Sequence, residues 1–312
     1  MTNHETIDTL LITEEDLSLR LDKLLALKYP KYSRTYFQSL VEKGHVLVNG
    51  LTCKKREKFL EGDEVEICFS LTPELSLQAE EIPLDILFED EEIIIINKPA
   101  GMVVHPGAGH THGTFANALL YHCKNLPIDP LSPLRPGIVH RLDKDTTGVL
   151  MAAKTSHTHR ALVDLLSQRK VKKTYKTLCF NVPTQIEINA PLKRHPIKRQ
   201  EMAVCLEGGK ESITKLRVLK KNDQVALVDV NLITGRTHQI RAHLKHIGCP
   251  ILGDSIYGSL SSNHKWNIPR QLLHAEHISF IHPVTQKEIH ITAPIPSDMQ
   301  DWIDKFFPSK FT

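Results

Sequence analysis

Apolar residues change period once within the first seventy positions, from helical spacing to alternation. In SLRLDKLLALKY (18–29), Leu21, Leu24 and Leu25 recur at helical spacing, and Pro30 ends the run. Ser33 then offers an N-cap for RTYFQSLVEK, where Tyr36, Phe37, Leu40 and Val41 form one stripe and Gly44 supplies the stop. HVLVNGLTC (45–53) alternates instead, and its Asn49-Gly50 pair is a strong hairpin signal because both residues tolerate positive φ. GDEVEICF (62–69) alternates again through Val65, Ile67 and Phe69. These elements predict a unit over 12–70 that can just fold alone, with 1–11 as a loose tail.

Residues 71–85 carry two prolines and several acids without periodicity and read as a linker. The remaining 86–312 form a larger domain. Its four isoleucines at 93–96 read as a buried strand ended by a Lys-Pro-Ala-Gly turn. GVLMAAKT (148–155) and TYKTLCF (174–180) are further strands, and HTHRALVDLLSQ (157–168) is a helix. QVALVDVNLITG (224–235) alternates imperfectly and leads into HQIRAHLKHIG (238–248), whose Ile240, Leu244 and Ile247 make a helical stripe closed by Gly248. Strands and helices alternate irregularly, and no Gly-rich phosphate loop follows the first strand. The fold class is therefore α+β with a mixed, mostly antiparallel sheet, rather than doubly wound.

Composition narrows the function classes only a little. Of 312 residues, 41% are hydrophobic and 24% charged, as in an ordinary soluble protein. The six cysteines form no CxxC pair, so reduced thiols in the cytoplasm are expected. Acids occupy the N-terminal positions where a signal peptide needs basic and then apolar residues, and no apolar run reaches membrane-spanning length. A net charge of +3 falls short of a dedicated nucleic-acid binder, yet the charge is uneven. Residues 31–58 hold seven Lys or Arg against two acids, and 168–176 and 193–199 are also basic, while 78–92 is acidic. A divided basic surface is expected.

HRLDKDTTG (140–148) concentrates the candidate chemistry. Asp, Thr and Gly at such spacing suit a tight turn. DKDTT also matches the DxDxT pattern of Mg²⁺-dependent aspartyl-phosphate phosphotransferases, but His140, Arg141 and Leu142 interrupt the buried strand that such a site needs. The downstream GDSIYG ends in Gly258 where a metal-binding acid is required. Paired histidines at 110/112, 157/159 and 243/246 lack a Glu or Cys in a recognised zinc arrangement, so they are read as surface or RNA-facing residues with no metal.

A wider window is more specific. INKPAGMVVHPG (96–107), GIVHRLDKDTTGVLMAAKT (137–155), KKTYKT (172–177), RHPIKRQEM (194–202), GRTHQIRAHLKHIGCPILGD (235–254) and LLHAEHISFIHP (272–283) together resemble, in order, the RluA/RluD family of pseudouridine synthases. Thr147 stands where many members have Ser, which keeps a hydroxyl. RLDKLLA (20–26), Ser33-Arg34 and GHVLVNG (44–50) resemble the α-L RNA-binding domain.

The resemblance implies isomerisation of uridine to pseudouridine in large-subunit ribosomal RNA, free or in a pre-ribosomal particle, by a cytoplasmic monomer with no membrane partner. No cofactor is implied, because atoms are neither gained nor lost. Asp143 would act at the ribose or base, either attacking the sugar or abstracting a sugar proton. Arg241 would keep that carboxylate ionised, and Tyr175 would stack on the flipped uracil. Arg141 would fill the space that the base vacates, with His140 supporting the loop and Asp145 organising the turn. RNA contacts are expected from Arg20, Lys31, Arg34, Lys54, Lys55, Arg56 and Arg236. A binding factor with a vestigial site is the alternative from another class.

Overall fold

The first layer is built on β4 (Glu64–Phe69), whose alternating Val65, Ile67 and Phe69 are buried. It pairs antiparallel with β2 (Val46–Val48), which turns through Asn49 and Gly50 at φ 51° and 76° into β3 (Leu51–Thr52). Helices α1 (Leu21–Lys28) and α2 (Arg34–Glu42) lay Leu21, Leu24, Leu25, Phe37 and Leu40 onto these strands. The structure is a computed structural model that describes residues 6–30, 32, 34–54, 59–69, 77–107, 110–123, 126–127, 134–205, 207–258 and 266–308.

The sequence reads as a loose tail over 1–11, yet Thr6–Leu11 is a strand, β1, paired with β4 along its whole length. An open strand edge is a template for any extended segment, and Leu10 and Ile12 supply apolar anchors on the same core.

The second body is a nine-stranded sheet. Its strands are β5 (Ile86–Glu89), β6 (Ile93–Lys98), β7 (Thr147–Ala153), β8 (Lys172–Phe180), β9 (Glu187–Asn189), β12 (Ile213–Lys221), β13 (Val225–Leu232), β14 (Leu273–Ile281) and β15 (Glu288–Thr292). Their order is β5-β6-β7-β14-β8-β13-β12-β9, with β15 on β14. All pairs are antiparallel except the short β7–β14 junction, His274↔Thr147 and Ala275↔Gly148. A hairpin of β10 (Leu192–Arg194) and β11 (Met202–Val204) stands apart.

The isoleucine run is explained by burial on both faces. Ile94 and Ile96 join Phe115 and Leu119 of α3 (Phe115–His122) and Ile240 and Leu244 of α5 (Gln239–His246), while Ile93 and Ile95 face Leu162 of α4 (Ser156–Ser167). Met299 and Ile303 of α6 (Ser297–Phe306) cover a third cluster with Leu178 and Leu227. Part of the stretch read as linker belongs to this body. Glu80 donates its amide to the Asn117 carbonyl at 3.1 Å, and Ile82 and Leu84 pack on the core. Among the described residues, no helix is long and apolar enough to cross a membrane.

Gly148 fixes the junction on which the site is built. Its φ is 106°, and a Cβ there would stand 2.2 Å from the Ala275 carbonyl oxygen. Gly148→Ala is expected to cost at least about 3 kcal/mol by strain and lost β7–β14 pairing; a urea midpoint within error of wild type would refute that constraint.

Candidate active site

The loop between Ile138 and β7 carries Asp143. Leu142, 5% exposed, anchors it in the core, and Thr146 closes a turn by donating its amide to the Asp143 carbonyl at 3.1 Å. Outside groups then hold the loop. Lys98, fully buried at the end of β6, donates to the carbonyls of Pro99, Met102 and Lys144 at 2.7, 2.9 and 2.9 Å. Three acceptors match the three protons of an ammonium; desolvation nevertheless pulls its pKa down to about 7, against the pull of Asp145 and Asp143. Arg270 donates to the Asp145 carbonyl at 3.2 Å and is itself held by Asp298 of α6. Thr147 Oγ1 lies 2.9 Å from His274 Nδ1.

Asp143 faces Arg241 of α5, whose Nη1 donates to Oδ2 at 2.8 Å. Arg241 is 4% exposed and follows Ile240 on the helix, so its guanidinium reaches inward. Asp254, 1% exposed, receives the other edge of the fork, Nε to Oδ2 at 2.7 Å and Nη2 to Oδ1 at 2.9 Å. Burial alone would lower the Arg241 pKa; Asp254 first and Asp143 second overcome this and raise it above its usual value. Burial would likewise raise Asp254, but Arg241 and the amides of Tyr257 and Ile256 hold it below the ordinary carboxylate range.

These groups open onto a cavity of about 370 Å³ lined by Asp143, Tyr175, Arg141, His140, Arg236 and Arg241, among others. That volume lies within the range of small-molecule pockets, about 300–1,000 Å³. Tyr175, 6% exposed on β8, has its phenol pKa pushed well up by burial and by Asp143, so it stays protonated. His140 Nε2 accepts the Met151 amide proton at 3.0 Å, and desolvation, with Lys173 adding, drops its pKa to about 3. Arg141 and Arg236 are exposed at the mouth.

Residues 92–246 match the RNA pseudouridylate synthase family model, and 19–65 match the S4 domain. An uncharacterized RNA pseudouridine synthase of Synechocystis sp. is 43% identical over 295 residues, covering 93% of this chain and 89% of that protein. The chain belongs to the RNA pseudouridylate synthase family. The ribosomal large subunit pseudouridine synthase D of Escherichia coli strain K12 is 40% identical over 310 residues, 95% of this chain and 93% of that one. Among solved structures, human RNA pseudouridylate synthase domain containing 4 aligns with TM-score 0.54 and 25% identity over 71% of this chain and 92% of that one.

The synthase pocket unites Asp143, Tyr175, Arg241, His140, Arg141 and Arg236. Arg20 and Arg34 belong to the S4 domain instead, where both bind the fully buried Asp22 at 3.2 and 2.9 Å; their side chains remain 43% and 38% exposed. Lys54 is exposed, while Lys31, Lys55 and Arg56 lie outside the described residues. His243 is not a surface residue: fully buried, it meets Thr214 Oγ1 and the Ala190 carbonyl, each at 2.9 Å, because it lies on the inner face of α5.

Sequence reasoning missed Lys98, Asp254, His238 and Lys173. Asp254 had a signal in the GCPILGD end of the motif, since an inward-facing arginine needs a carboxylate. Lys173 lies two residues before Tyr175 on β8, hence on the same face, and desolvation lowers its pKa. Away from the pocket, Glu89, His122 and Cys123 bring one potential metal ligand each within 4.8 Å, but the Lys154 ammonium already pairs with Glu89 at 2.8 Å.

Asp254→Ala strands Arg241 in a buried site and is expected to destabilise the protein by about 3–5 kcal/mol. Asp143→Ala, which removes one bond at the pocket wall, should cost distinctly less. Equal urea midpoints for the two variants would contradict this ranking.

Proposed function

We propose that this synthase isomerises uridine to pseudouridine in large-subunit ribosomal RNA, with Asp143 as the reacting group. The observation that carries the reading is the arrangement at Asp143: Oδ2 is engaged by Arg241 at 2.8 Å, while the carboxylate borders a cavity that also holds Tyr175. The reaction breaks the N1–C1′ bond, turns the base and rejoins it through C5. An oriented carboxylate serves either version of the first step, attack at the sugar or removal of a sugar proton. The ribosomal target is supported by the relative named for it, with which this chain is 40% identical.

The target base leaves its stack and enters the cavity, at a cost of a few kcal/mol. Tyr175 provides a flat replacement partner, and Arg141, exposed beside Asp143, occupies the vacated space. Arg236 and the S4 residues Arg20, Arg34, Lys54, Lys31, Lys55 and Arg56 contact phosphate, giving affinity with little sequence choice. The enzyme works in the cytoplasm, where its free cysteines persist.

Ribosomal RNA carrying 5-tritiated uridine tests the chemistry directly, because rejoining at C5 releases the label. Wild-type protein should release tritium and Asp143→Asn should lose at least about a thousandfold in rate, as expected for a reacting group. Undiminished release by the folded variant would remove Asp143 from the mechanism. Mapping pseudouridines with and without the protein then identifies the target uridines. Affinity should fall steeply between 50 and 200 mM salt, about tenfold or more if a few phosphates are contacted; a flat response would exclude the proposed basic surface.

A further inference from the structure

His238 occupies an unusual place for a residue with a side chain. It is the N-cap of α5 with φ 52° and ψ 21°, a left-handed conformation that costs free energy outside glycine. That conformation puts both ring nitrogens to use. Nδ1 lies 3.0 Å from the Tyr257 hydroxyl, and Nε2 lies 3.8 Å from Oδ1 of Asp143, the oxygen that Arg241 leaves open.

The proton positions follow from Tyr257. This residue is 2% exposed, and its hydroxyl oxygen accepts the Met202 amide proton at 2.6 Å. Among the described residues, His238 Nδ1 is the acceptor within reach of the hydroxyl's own proton. The Tyr257 O–H therefore donates to Nδ1, and the neutral ring carries its proton on Nε2, aimed at Asp143. Burial lowers the His238 pKa, with Asp143 opposing and Arg241 reinforcing, and Asp254 and Arg141 add smaller effects of opposite sign. The ring is thus held neutral as a fixed donor.

A separation of 3.8 Å is too long for a hydrogen bond but close enough for one oxygen to contact both atoms. Such an oxygen must accept from Nε2–H and donate to the carboxylate, as a hydroxyl or a water does and as the ring and ester oxygens of a nucleotide cannot. Within an RNA chain the 3′ and 5′ oxygens are esterified, so the 2′-hydroxyl is the free hydroxyl of the target nucleotide. It sits on the carbon next to C1′, beside the bond that the proposed reaction breaks.

We propose that His238 Nε2–H and Asp143 Oδ1 together clamp the 2′-hydroxyl of the flipped nucleotide. His238 then acts as a ribose-selecting residue, and Tyr257 is the positioning residue that fixes its tautomer. This rests on the function proposed above. The ring of Tyr257 also lies 5.1 Å from the Arg241 guanidinium, a contact that Tyr257→Phe preserves while removing the hydroxyl.

The test uses a short RNA hairpin around a mapped target uridine, made with either uridine or 2′-deoxyuridine at that position. Single-turnover kcat and KM are measured for wild type, His238→Ala, His238→Gln and Tyr257→Phe. The intrinsic reactivity of the deoxy sugar is common to all four and cancels in the ratio of deoxy penalties. That penalty on kcat/KM should be about tenfold larger in wild type than in His238→Ala, the worth of one hydrogen bond. His238→Gln, which retains an N–H donor, should recover part of it, and Tyr257→Phe should fall between. Should His238→Ala fail to fold, the Tyr257→Phe ratio decides in its place. Active wild type with equal penalties in all variants overturns the clamp alone; wild type that adds no pseudouridine to ribosomal RNA in the mapping experiment overturns the proposed function and the clamp together.

Discussion

Three charged side chains, Asp143, Arg241 and Asp254, form the interaction on which the pocket depends. A guanidinium presents two edges, and here each edge meets a carboxylate. Asp254 is buried and its Oδ1 also accepts the Ile256 and Tyr257 amides, so its charge serves the scaffold. Asp143 is 17% exposed, and its second oxygen is not used by Arg241. Within this triad two carboxylates share one guanidinium, so Arg241 alone does not neutralise Asp143. In the proposed reaction a carboxylate of this kind stands opposite a sugar carbon that becomes electron-poor as its bond to nitrogen breaks. An arginine paired with Asp143 alone would neutralise it; the second carboxylate lets Arg241 orient the first without cancelling it.

Orientation also requires a loop that does not move, and the loop is held mostly through its backbone. Lys98 and Arg270 bind carbonyls of Lys144 and Asp145, the two residues after Asp143. Both cations are buried and reach in from outside the loop, so side chains on the loop stay free for the pocket. His140 does the same from within, its ring nitrogen accepting the Met151 amide of β7. Gly148 then allows β7 to approach Ala275 closely enough for the short parallel junction. The DKDTTG stretch is therefore a turn that also presents the Asp143 carboxylate to the pocket. Its two acids have separate surroundings: the Asp143 side chain meets Arg241, whereas the Asp145 carbonyl meets Arg270.

Much of this was legible in the residue pattern because burial leaves a period. The isoleucine run, the Asn-Gly hairpin and the stripe of α5 all became the elements they imply, whereas Arg241 was expected from the resemblance of its motif, and its place beside Ile240 accounts for its inward reach. What escaped has physical causes. β14 splits between β7, β8 and β15, so neither face keeps a simple alternation. α3 begins in a capping box of Thr114 and Asn117 rather than at a strong amphipathic stripe. Lys98 and His243 look like surface residues because periodicity cannot see a polar side chain that finds buried carbonyls. Asp254 lies thirteen residues from Arg241, and only folding brings them together. The strand at Thr6–Leu11 exists because β4 offers an edge, which no local pattern announces.

The proposal of a carboxylate for the chemistry is supported by how the pocket uses its histidines. Histidine is the usual base near neutral pH, and two line this cavity. Each has already committed the nitrogen lone pair that a base requires: His140 Nε2 to the Met151 amide, and His238 Nδ1 to the Tyr257 hydroxyl. Desolvation lowers both pKa values, so neither ring readily gains a second proton to act as an acid. Tyr175 stays protonated because burial and Asp143 both oppose a phenolate. Lys173 would first have to give up its own proton. In the proposed reaction, proton-accepting or nucleophilic work at this wall is therefore left to Asp143, while its neighbours serve as donors, packing surface and orientation.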